Sequence, residues 1–379
     1  MRTKYFFASL VIIILLASLA FVALAQGNGK KRVIIHTEKE LSDSIAKGCK
    51  LVREARTLKA LVCSHEAASS LGLEEDVQVF AVDSAADTQI KADLVQSSGN
   101  IGSGRKVAVL DTGYNYNQQE LKSSYLGGKD FVNNDNDPFD DNGHGTHVAG
   151  IITADGIDAK AKGVAPGTGI ISGKVLDASG SGFFSDVVAA IYWVVDGPDG
   201  IAGTSDDFNA DAISMSLGTS PPYTYKGFCD KVLPDLTIAV KYAVSRGVIV
   251  VVAAGNSGTS GVSLPGCISY STTVGAVDSS DKIASFSGRG NAVDISAPGV
   301  NIYSSWLGNG YATASGTSMA TPMVTGTVAL IKSAHPAYSV TQVQNALFKT
   351  SKDLGKIGFD TSYGWGRVDA SKSVNFTSV

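Results

Sequence analysis

The chain is 379 residues long, which is enough for one large domain or two smaller domains with substantial cores. Hydrophobic residues make up 44% of it and charged residues 17%, a composition that excludes an intrinsically disordered protein. The formal net charge of -4 provides no electrostatic basis for binding nucleic acid or an anionic membrane surface.

The first 25 residues have the pattern of an export signal. A short basic start, MRTK, precedes a long apolar run, and Ala23-Leu24-Ala25 matches an A-x-A cleavage site. The run is also long enough to cross a bilayer, so an uncleaved anchor is the alternative. We expect residues 1–25 to be removed as a signal peptide and the chain to be secreted, with no membrane association after cleavage.

Residues 26–83 are predicted to form a small domain of their own. The segments RVIIHT, KLVREARTLKALVCS and VQVFAV favour strands, the second of them two strands around a tight turn near Arg56-Thr57. The segments EKELSDSIAKG and HEAASSLGL favour helices. The resulting order, βαββαβ, is that of a ferredoxin-like α+β domain.

Residues 84–379 are predicted to form a larger α/β domain. Its strand candidates are KVAVL, GIISGKVL, DAISMSL, VIVVVAA and STTVGAV, and helix-length patterns separate several of them. Strands that are continuously rich in Val and Ile are buried on both faces, which predicts a mostly parallel central sheet covered by helices. A long helix is predicted from Ser318 to Ala334, followed by a last helix near TQVQNALFKTS.

The four cysteines can form disulfides if the chain is exported. Cys49, Cys63, Cys229 and Cys267 allow three pairings. If the chain is cut between its two domains, only Cys49–Cys63 with Cys229–Cys267 keeps each bridge within one part. Buried free thiols are the alternative.

Three polar residues occur where the predicted parallel strands end, which is where such sheets bind ligands. Asp111 follows KVAVL, Ser216 lies within ISMSLG, and Asn256 follows VIVVVAAG. Taken singly, each is also consistent with an ordinary turn.

The segment DNGHGTHVAG places His144 and His147 three residues apart on one face of a helix start. The spacing is compatible with a metal, but no HExxH pattern or third ligand accompanies it, so a zinc site is not favoured. His144, at the helix start among glycines, is the better candidate for a general base. We expect His147 to be packed and hydrogen-bonded.

Ser318, in GTSMATP, is either a helix cap or a nucleophile. A serine hydroxyl is a poor nucleophile at neutral pH, so it needs His144 to accept its proton while Asp111 holds the other ring nitrogen. The backbone N–H groups at the helix start and the amide of Asn256 could then stabilise a tetrahedral oxyanion. These four residues predict a nucleophilic serine that catalyses acyl transfer.

Six segments in order, VAVLDTG, HGTHVAG, SMSLG, AAGNSG, SAPGV and GTSMATP, resemble the motifs of the subtilisin-like serine proteases, the subtilases. The order Asp, His, Ser also matches that family. The resemblance covers roughly residues 84–370. It implies a three-layer subtilisin-like fold and an endopeptidase that cleaves proteins or peptides through an acyl-enzyme intermediate. It also implies a triad of Asp111, His144 and Ser318, with Asn256 as the oxyanion donor.

The resemblance extends to substrate binding and maturation. Ser216-Leu217-Gly218 resembles the family's segment that pairs with the substrate backbone, and Gly180-Ser181-Gly182 resembles the strand opposite to it. The two segments would then hold an extended peptide between them as an added β-strand. Residues 26–83 resemble the family's inhibitory propeptide. They are expected to inhibit intramolecularly, to aid folding and to be cut off between about Val82 and Asp87. Because the link is short, continued attachment is the alternative. We expect a monomer.

Departures from the family pattern in two segments bear on cleavage preference and on calcium. SGTSGVSLPGC, after Asn256, is shorter than usual where the wall of the main specificity pocket is built, so the sequence assigns no cleavage preference. DGIDAKA, after the catalytic histidine helix, lacks the usual Asn-bearing calcium loop.

Two acidic loops, NNDNDPFDD and DGPDGIAGTSDD, predict structural calcium, a hard cation that accepts many oxygen ligands. Solvated acidic turns are the alternative interpretation. The candidate ligands are Asp135, Asp137, Asp140 and Asp141 in the first loop and Asp196, Asp199, Asp206 and Asp207 in the second.

The sequence disfavours three other functions. An aspartic protease needs two carboxylates that share a proton, and this chain has a single DTG in an α/β pattern. An α/β-hydrolase needs G-x-S-x-G, but here the fifth position is Ala320 and the triad order differs. A catalytically silent subtilase used as a binding module is the third, and the intact catalytic positions disfavour it.

Overall fold

The computed structural model describes residues 30–54, 59–75 and 85–377. The chain divides into two compact units, residues 1–81 and 82–379. The predicted signal peptide, the turn at residues 56–57 and the strand expected at residues 77–82 lie outside the described residues. Within the described ranges, no helix combines the length and apolar character needed to cross a membrane.

The described part of the smaller unit follows the predicted order βαββα and then adds a short fourth strand before the one expected at residues 77–82. Its strands β1 (Lys30–Ile35), β2 (Lys50–Glu54), β3 (Lys59–Ser64) and β4 (Glu74–Glu75) form an antiparallel sheet. The order is β2-β3-β1-β4, a ferredoxin-like order in which β1 pairs with both β3 and β4. Val33, Ile35 and Leu61 form its small core. Its helices are α1 (Glu38–Ala46) and α2 (His65–Leu71).

The larger unit alternates strands and helices along most of its length. Its helices are α3 (Ala85–Ile90), α4 (Ala92–Ser97), α5 (His144–Thr153), α6 (Phe184–Asp196), α7 (Pro234–Ser245), α8 (Thr317–Ala334), α9 (Val340–Thr350) and α10 (Ala370–Val374). Its strands are β5 (Lys106–Asp111), β6 (Tyr125–Asp130), β7 (Gly169–Lys174), β8 (Ala212–Met215), β9 (Thr224–Tyr225), β10 (Ile249–Ala253), β11 (Val262–Ser263), β12 (Thr272–Val277), β13 (Ile295–Pro298), β14 (Ile302–Ser305) and β15 (Tyr311–Ala314).

Seven of these strands form one parallel sheet in the order β13-β12-β10-β8-β5-β7-β6. Successive side chains of a strand point to opposite faces, so Val107 and Val109 pack in one layer and Ala108 and Leu110 in the other. Helices α5 and α8 contribute to the first layer, and α6 and α7 to the second. The predicted three-layer α/β fold is confirmed.

All five predicted strands lie in the interior of the sheet, and the two that were not predicted, β6 and β13, are its edges. Strand β6 reads YLGGKD, whose glycines and charges have low β propensity. Strand β13 ends in Pro298, a residue that an edge strand tolerates because it needs fewer ladder hydrogen bonds.

Both disulfides form in the pairing that keeps each bridge within one unit. Cys49 bonds to Cys63 in the smaller unit, and Cys229 bonds to Cys267 in the larger. The second bridge joins the segment after β9 to the segment after β11, two short strands that pair with each other.

The topology places the candidate residues together. From β5 the chain first builds β6 and β7 on one side, and then adds β8, β10, β12 and β13 on the other. At such a reversal, the loops leaving neighbouring strands part and open a crevice at the carboxyl edge of the sheet. Asp111, Ser216 and Asn256 all lie at or just beyond that edge.

Candidate active site

Asp111 and His144 form a tight hydrogen-bonded pair at the carboxyl edge of the sheet. Asp111 ends strand β5 with its side chain fully buried, and His144 begins helix α5. His144 Nδ1 lies 2.6 Å from Asp111 Oδ1, which also accepts the Thr112 N–H at 2.8 Å. Because Nδ1 faces the carboxylate, Nε2 is the ring nitrogen that can exchange a proton elsewhere.

A glycine sets the direction in which α5 starts. Gly143, immediately before His144, has φ = 107°, a conformation that residues with a Cβ rarely adopt. A Cβ at this position would also lie 2.6 Å from the ring of Trp306. The glycine therefore lets the chain turn into the helix close beside that ring.

The environment favours the charged form of His144. Burial by itself lowers its pKa, but the negative charge and hydrogen bond of Asp111, with a smaller contribution from the charge of Asp140, outweigh burial and raise the pKa above its ordinary value. An imidazole in this setting accepts a proton more readily than a histidine in water, as a general base must.

Ser318 is the second residue of α8 and lines the same cleft as His144. Its Oγ donates to the backbone carbonyl of Ser216 at 3.0 Å, and Ser216 Oγ donates to the carbonyl of Ser318 at 2.8 Å. The hydroxyl is therefore directed at the segment after β8 rather than at His144. A change of χ1 rotamer would redirect it, and catalytic hydrogen bonds often form only once substrate is bound.

The side chain of Asn256 is oriented by its neighbour in the helix start. Its Oδ1 accepts the Thr317 N–H at 2.9 Å and the Thr317 hydroxyl at 3.1 Å. Two donors on one atom identify that atom as the oxygen, so the NH₂ group points the other way. Asn256 is exposed and lines the cleft beside Ser318, with its amide available as a donor.

The two predicted substrate segments lie in the same cleft, which has a volume of about 640 Å³. Ser216-Leu217-Gly218 continues from β8, and Gly180-Ser181-Gly182 lies in the loop before α6. That loop forms a turn in which Asp177 accepts the N–H groups of Ser179 and Ser181.

Comparison with known proteins identifies the family. The subtilase family model matches residues 102–366, which is more than half of the chain. Subtilisin DY from Bacillus licheniformis is 39% identical over 284 residues, covering 74% of this chain and 94% of that protein. Subtilisin Savinase from Lederbergia lenta is 39% identical over 283 residues, covering 75% and 95%.

The chain belongs to the subtilase family of serine endopeptidases. A thermophilic serine proteinase from Bacillus sp. (strain AK1) is also 39% identical, over 275 residues that make up 72% of this chain. The match spans 62% of that relative's length, which is less than two thirds of it.

His147, the second histidine of the HGTHVAG segment, is packed inside this subtilase. His147 is fully buried, and its Nε2 lies 3.1 Å from the carbonyl oxygen of Ile302 and 3.0 Å from that of Ala312. Burial lowers its pKa to about 4, so it stays neutral. Among the described residues, no group of three or more His, Cys, Asp or Glu is placed to hold a metal ion.

In the first acidic loop, protein donors already bind the candidate calcium ligands. Lys174 donates to Asp141 at 2.6 Å, and Tyr116 donates to Asp137 at 2.8 Å. Asp135 accepts the Asp137 N–H at 2.9 Å, and Asp140 is fully buried with both oxygens accepting hydrogen bonds. In this conformation the four carboxylates accept hydrogen bonds from protein groups, and no three of them form a cluster placed to hold a metal ion.

The carboxylates of the second acidic loop cap its turns. Asp206 accepts the Asp199 N–H at 2.9 Å, and Asp207 accepts the Gly203 N–H at 2.7 Å. Asp196 accepts the hydroxyl of Tyr242 at 2.6 Å. The loop is largely exposed, and calcium at either loop stays a prediction.

Sequence reasoning missed two supporting groups at the site. Thr317 holds Asn256, and the backbone carbonyl of Ser216 holds the Ser318 hydroxyl. Thr317 lies within the GTS motif next to the nucleophile candidate, which was a usable signal. The Ser216 carbonyl is a backbone group and carries no residue-type signal.

Proposed function

We propose that this subtilase is a secreted endopeptidase that hydrolyses peptide bonds through a triad of Asp111, His144 and Ser318. The observation that carries the proposal is the 2.6 Å contact of His144 Nδ1 with Asp111 Oδ1 in a cleft that Ser318 also lines. The alternative is a catalytically silent module that binds peptides without cutting them.

In the acylation step, Ser318 Oγ attacks the carbonyl carbon of the scissile peptide bond. Its proton moves to His144 Nε2, and the buried carboxylate of Asp111 stabilises the imidazolium that results. His144 then gives the proton to the amine of the leaving fragment as the C–N bond breaks. The other fragment stays bound to Ser318 as an ester.

The negative charge on the carbonyl oxygen needs fixed donors. We assign this role to the Asn256 amide and the Ser318 N–H, which belongs to the first turn of α8, where backbone N–H groups lack intrahelical acceptors. Water then attacks the ester with His144 as base, releasing the acid and restoring the serine.

Substrates are extended proteins or peptides in this proposal. Ser216-Leu217-Gly218 on one wall and Gly180-Ser181-Gly182 on the other would hold the substrate backbone by hydrogen bonds in the manner of an added strand. Such recognition reads the main chain, so the side-chain preference depends on the pockets between the walls.

A labelling experiment tests the catalytic proposal. Wild-type protein is treated with a fluorophosphonate probe and the modified peptide is identified, while Ser318→Ala serves as the control. We expect the wild type to be labelled on Ser318 and to cleave an unstructured protein, and the variant to be folded but inert. A folded wild type that neither labels nor cleaves would support the silent binding module.

We also propose that residues 26–83 are an inhibitory propeptide. The ferredoxin-like sheet of the smaller unit, directly before the protease unit, supports this. Sequencing the N-termini of wild type and Ser318→Ala tests it, because self-cleavage predicts a shortened wild type and a longer variant. The separately produced residues 26–83 should slow the mature enzyme. Two uncut chains and no inhibition would favour a permanent N-terminal domain.

A further inference from the structure

Asp140 lies four residues before His144 and is unusual among the acidic residues of its loop. Its side chain is 0% exposed and its two oxygens accept five hydrogen bonds. Oδ1 accepts the Thr112 hydroxyl at 2.9 Å, the Asn142 N–H at 3.0 Å and the Gly143 N–H at 2.9 Å. Oδ2 accepts the Thr146 N–H at 2.8 Å and its hydroxyl at 2.6 Å. A carboxylate offers about four lone-pair sites, so this one is saturated.

These bonds connect the two segments that carry the acid and the base. Thr112 directly follows Asp111 at the end of β5, whereas Gly143 and Thr146 lie on either side of His144 at the start of α5. Thr112 completes the connection, since its hydroxyl also accepts the Gly145 N–H at 2.8 Å. One buried carboxylate thus bonds to both the strand end and the helix start.

The position also suits the charge of Asp140. A carboxylate at a helix N-terminus interacts favourably with the free N–H groups and the positive end of the helix dipole. Burial raises the pKa of Asp140, but the hydrogen bonds from Gly143, Thr146 and Asn142 outweigh burial and lower it overall. The group is therefore ionised whenever the enzyme works near neutral pH.

We propose that Asp140 is a positioning residue for catalysis, acting through Thr112 and the start of α5 to hold Asp111 and His144 in register. The inference rests on the proposed roles of those two residues. Asp140 does not touch the reacting atoms, so its loss should leave substrate binding nearly unchanged and slow the chemical step. Displacements of about 1 Å at reacting groups can cost about 100-fold in rate.

The test compares kcat and KM for Asp140→Asn with those for Asp130→Asn. Asp130 is a matched control because it is also buried, at 2% exposed, and caps the N–H groups of Val132 and Asn133 at 2.7 and 2.9 Å. We expect Asp140→Asn to lower kcat by about 10- to 100-fold with KM within about twofold. Asp130→Asn should retain the wild-type kcat even if its melting temperature falls.

A second pair of variants isolates the Thr112 link. Thr112→Val removes the hydroxyl and should lower kcat by about tenfold, while Thr112→Ser keeps the hydroxyl and should restore most of the rate. Since both residues act in one connection, the double variant Asp140→Asn/Thr112→Val should lose less than the product of the two single losses.

Several outcomes would overturn the inference. A folded Asp140→Asn with wild-type kcat would do so, as would equal losses in Asp140→Asn and Asp130→Asn. Failure of both Asp140→Asn and Thr112→Val to fold, with Asp130→Asn folded, would assign Asp140 to stability instead. If the wild type itself neither cleaves a substrate nor reacts with the probe, the proposed function fails. That failure is seen without any variant, so it can be told apart from a failure of the inference about Asp140.

Discussion

The two sides of the cleft are built in different ways. On one side, called the reaction side after the role we propose for it, Asp111, His144 and Ser318 lie at the ends of a central strand and two helices, and a side-chain hydrogen bond joins Asp111 to His144. On the other, called the binding side because we propose that it holds the substrate, the walls are loops rich in glycine and serine, and Phe183 on one of them is 77% exposed. Proton transfer tolerates little displacement, so its groups lie on rigid elements, whereas holding a peptide backbone requires only aligned main chains.

The comparison predicts that substitutions on the reaction side lower turnover. The largest effect is expected at Asp111. Asp111→Asn should lower kcat by about 10⁴-fold, because the amide no longer stabilises the imidazolium or holds the same tautomer. The measurement is steady-state kinetics on a peptide substrate. A loss smaller than about tenfold would contradict the assigned role.

The same variant makes a pH prediction. The wild-type pKa of His144 is raised because Asp111 outweighs burial, and the other titratable groups facing the ring are Asp140 and His147. Activity needs the neutral base, so it should fall as the pH drops through that raised pKa. Without the Asp111 charge burial dominates, the pKa falls, and the acid limb of the residual kcat should move to lower pH.

Asn256→Ala should have the next largest effect. Its amide matters mainly when the oxyanion forms, so we expect kcat to fall with KM nearly unchanged. The expected loss is about 3 kcal/mol of transition-state stabilisation, a magnitude that comes from measurements on a subtilisin. Thr317→Val, which removes one of the two bonds that orient Asn256, should show a smaller loss of the same kind. Near wild-type turnover in Asn256→Ala would refute the role.

On the binding side, Gly182→Ala should act on KM. A Cβ at Gly182 would lie 2.1 Å from the carbonyl oxygen of Val175, so the wall has to shift. Overpacking of about 1–3 kcal/mol corresponds to a rise in KM of about 5- to 150-fold. Gly227→Ala is the control, because a Cβ there meets nothing within 4 Å. A loss confined to kcat would place this loop on the reaction side instead.

The smallest predicted effect concerns the acidic loops. If calcium binds either loop, a chelator should lower the melting temperature by about 5 °C, since a ligand at about 100 times its Kd contributes about 2.7 kcal/mol. Calorimetry with and without chelator measures it, and Asp207→Ala against Asp137→Ala separates the two loops. An unchanged melting temperature would remove structural calcium from the account.

The sequence predicted most of the architecture because buried strands and amphipathic helices have strong patterns. The interior strands of the sheet and the long helix at Thr317–Ala334 match the prediction, and the disulfides have the one of three possible pairings that was expected for a chain cut between its domains. The edge strands β6 and β13 and the short helices α3 and α4 were missed, because weakly apolar or short segments depend on their neighbours more than on their own propensity.

The sequence by itself determined the residue types of the candidate site, because acid, base and nucleophile each require a particular side chain in a motif. Only the tertiary structure decided which groups meet. It directed the Ser318 hydroxyl at the Ser216 carbonyl and buried His147 among carbonyls. It also placed Asp140, a candidate calcium ligand, where its hydrogen bonds connect the strand end to the helix start. Such contacts join residues that are far apart in the chain. They depend on hydrogen-bond distances and angles in the folded protein, which no local sequence pattern encodes.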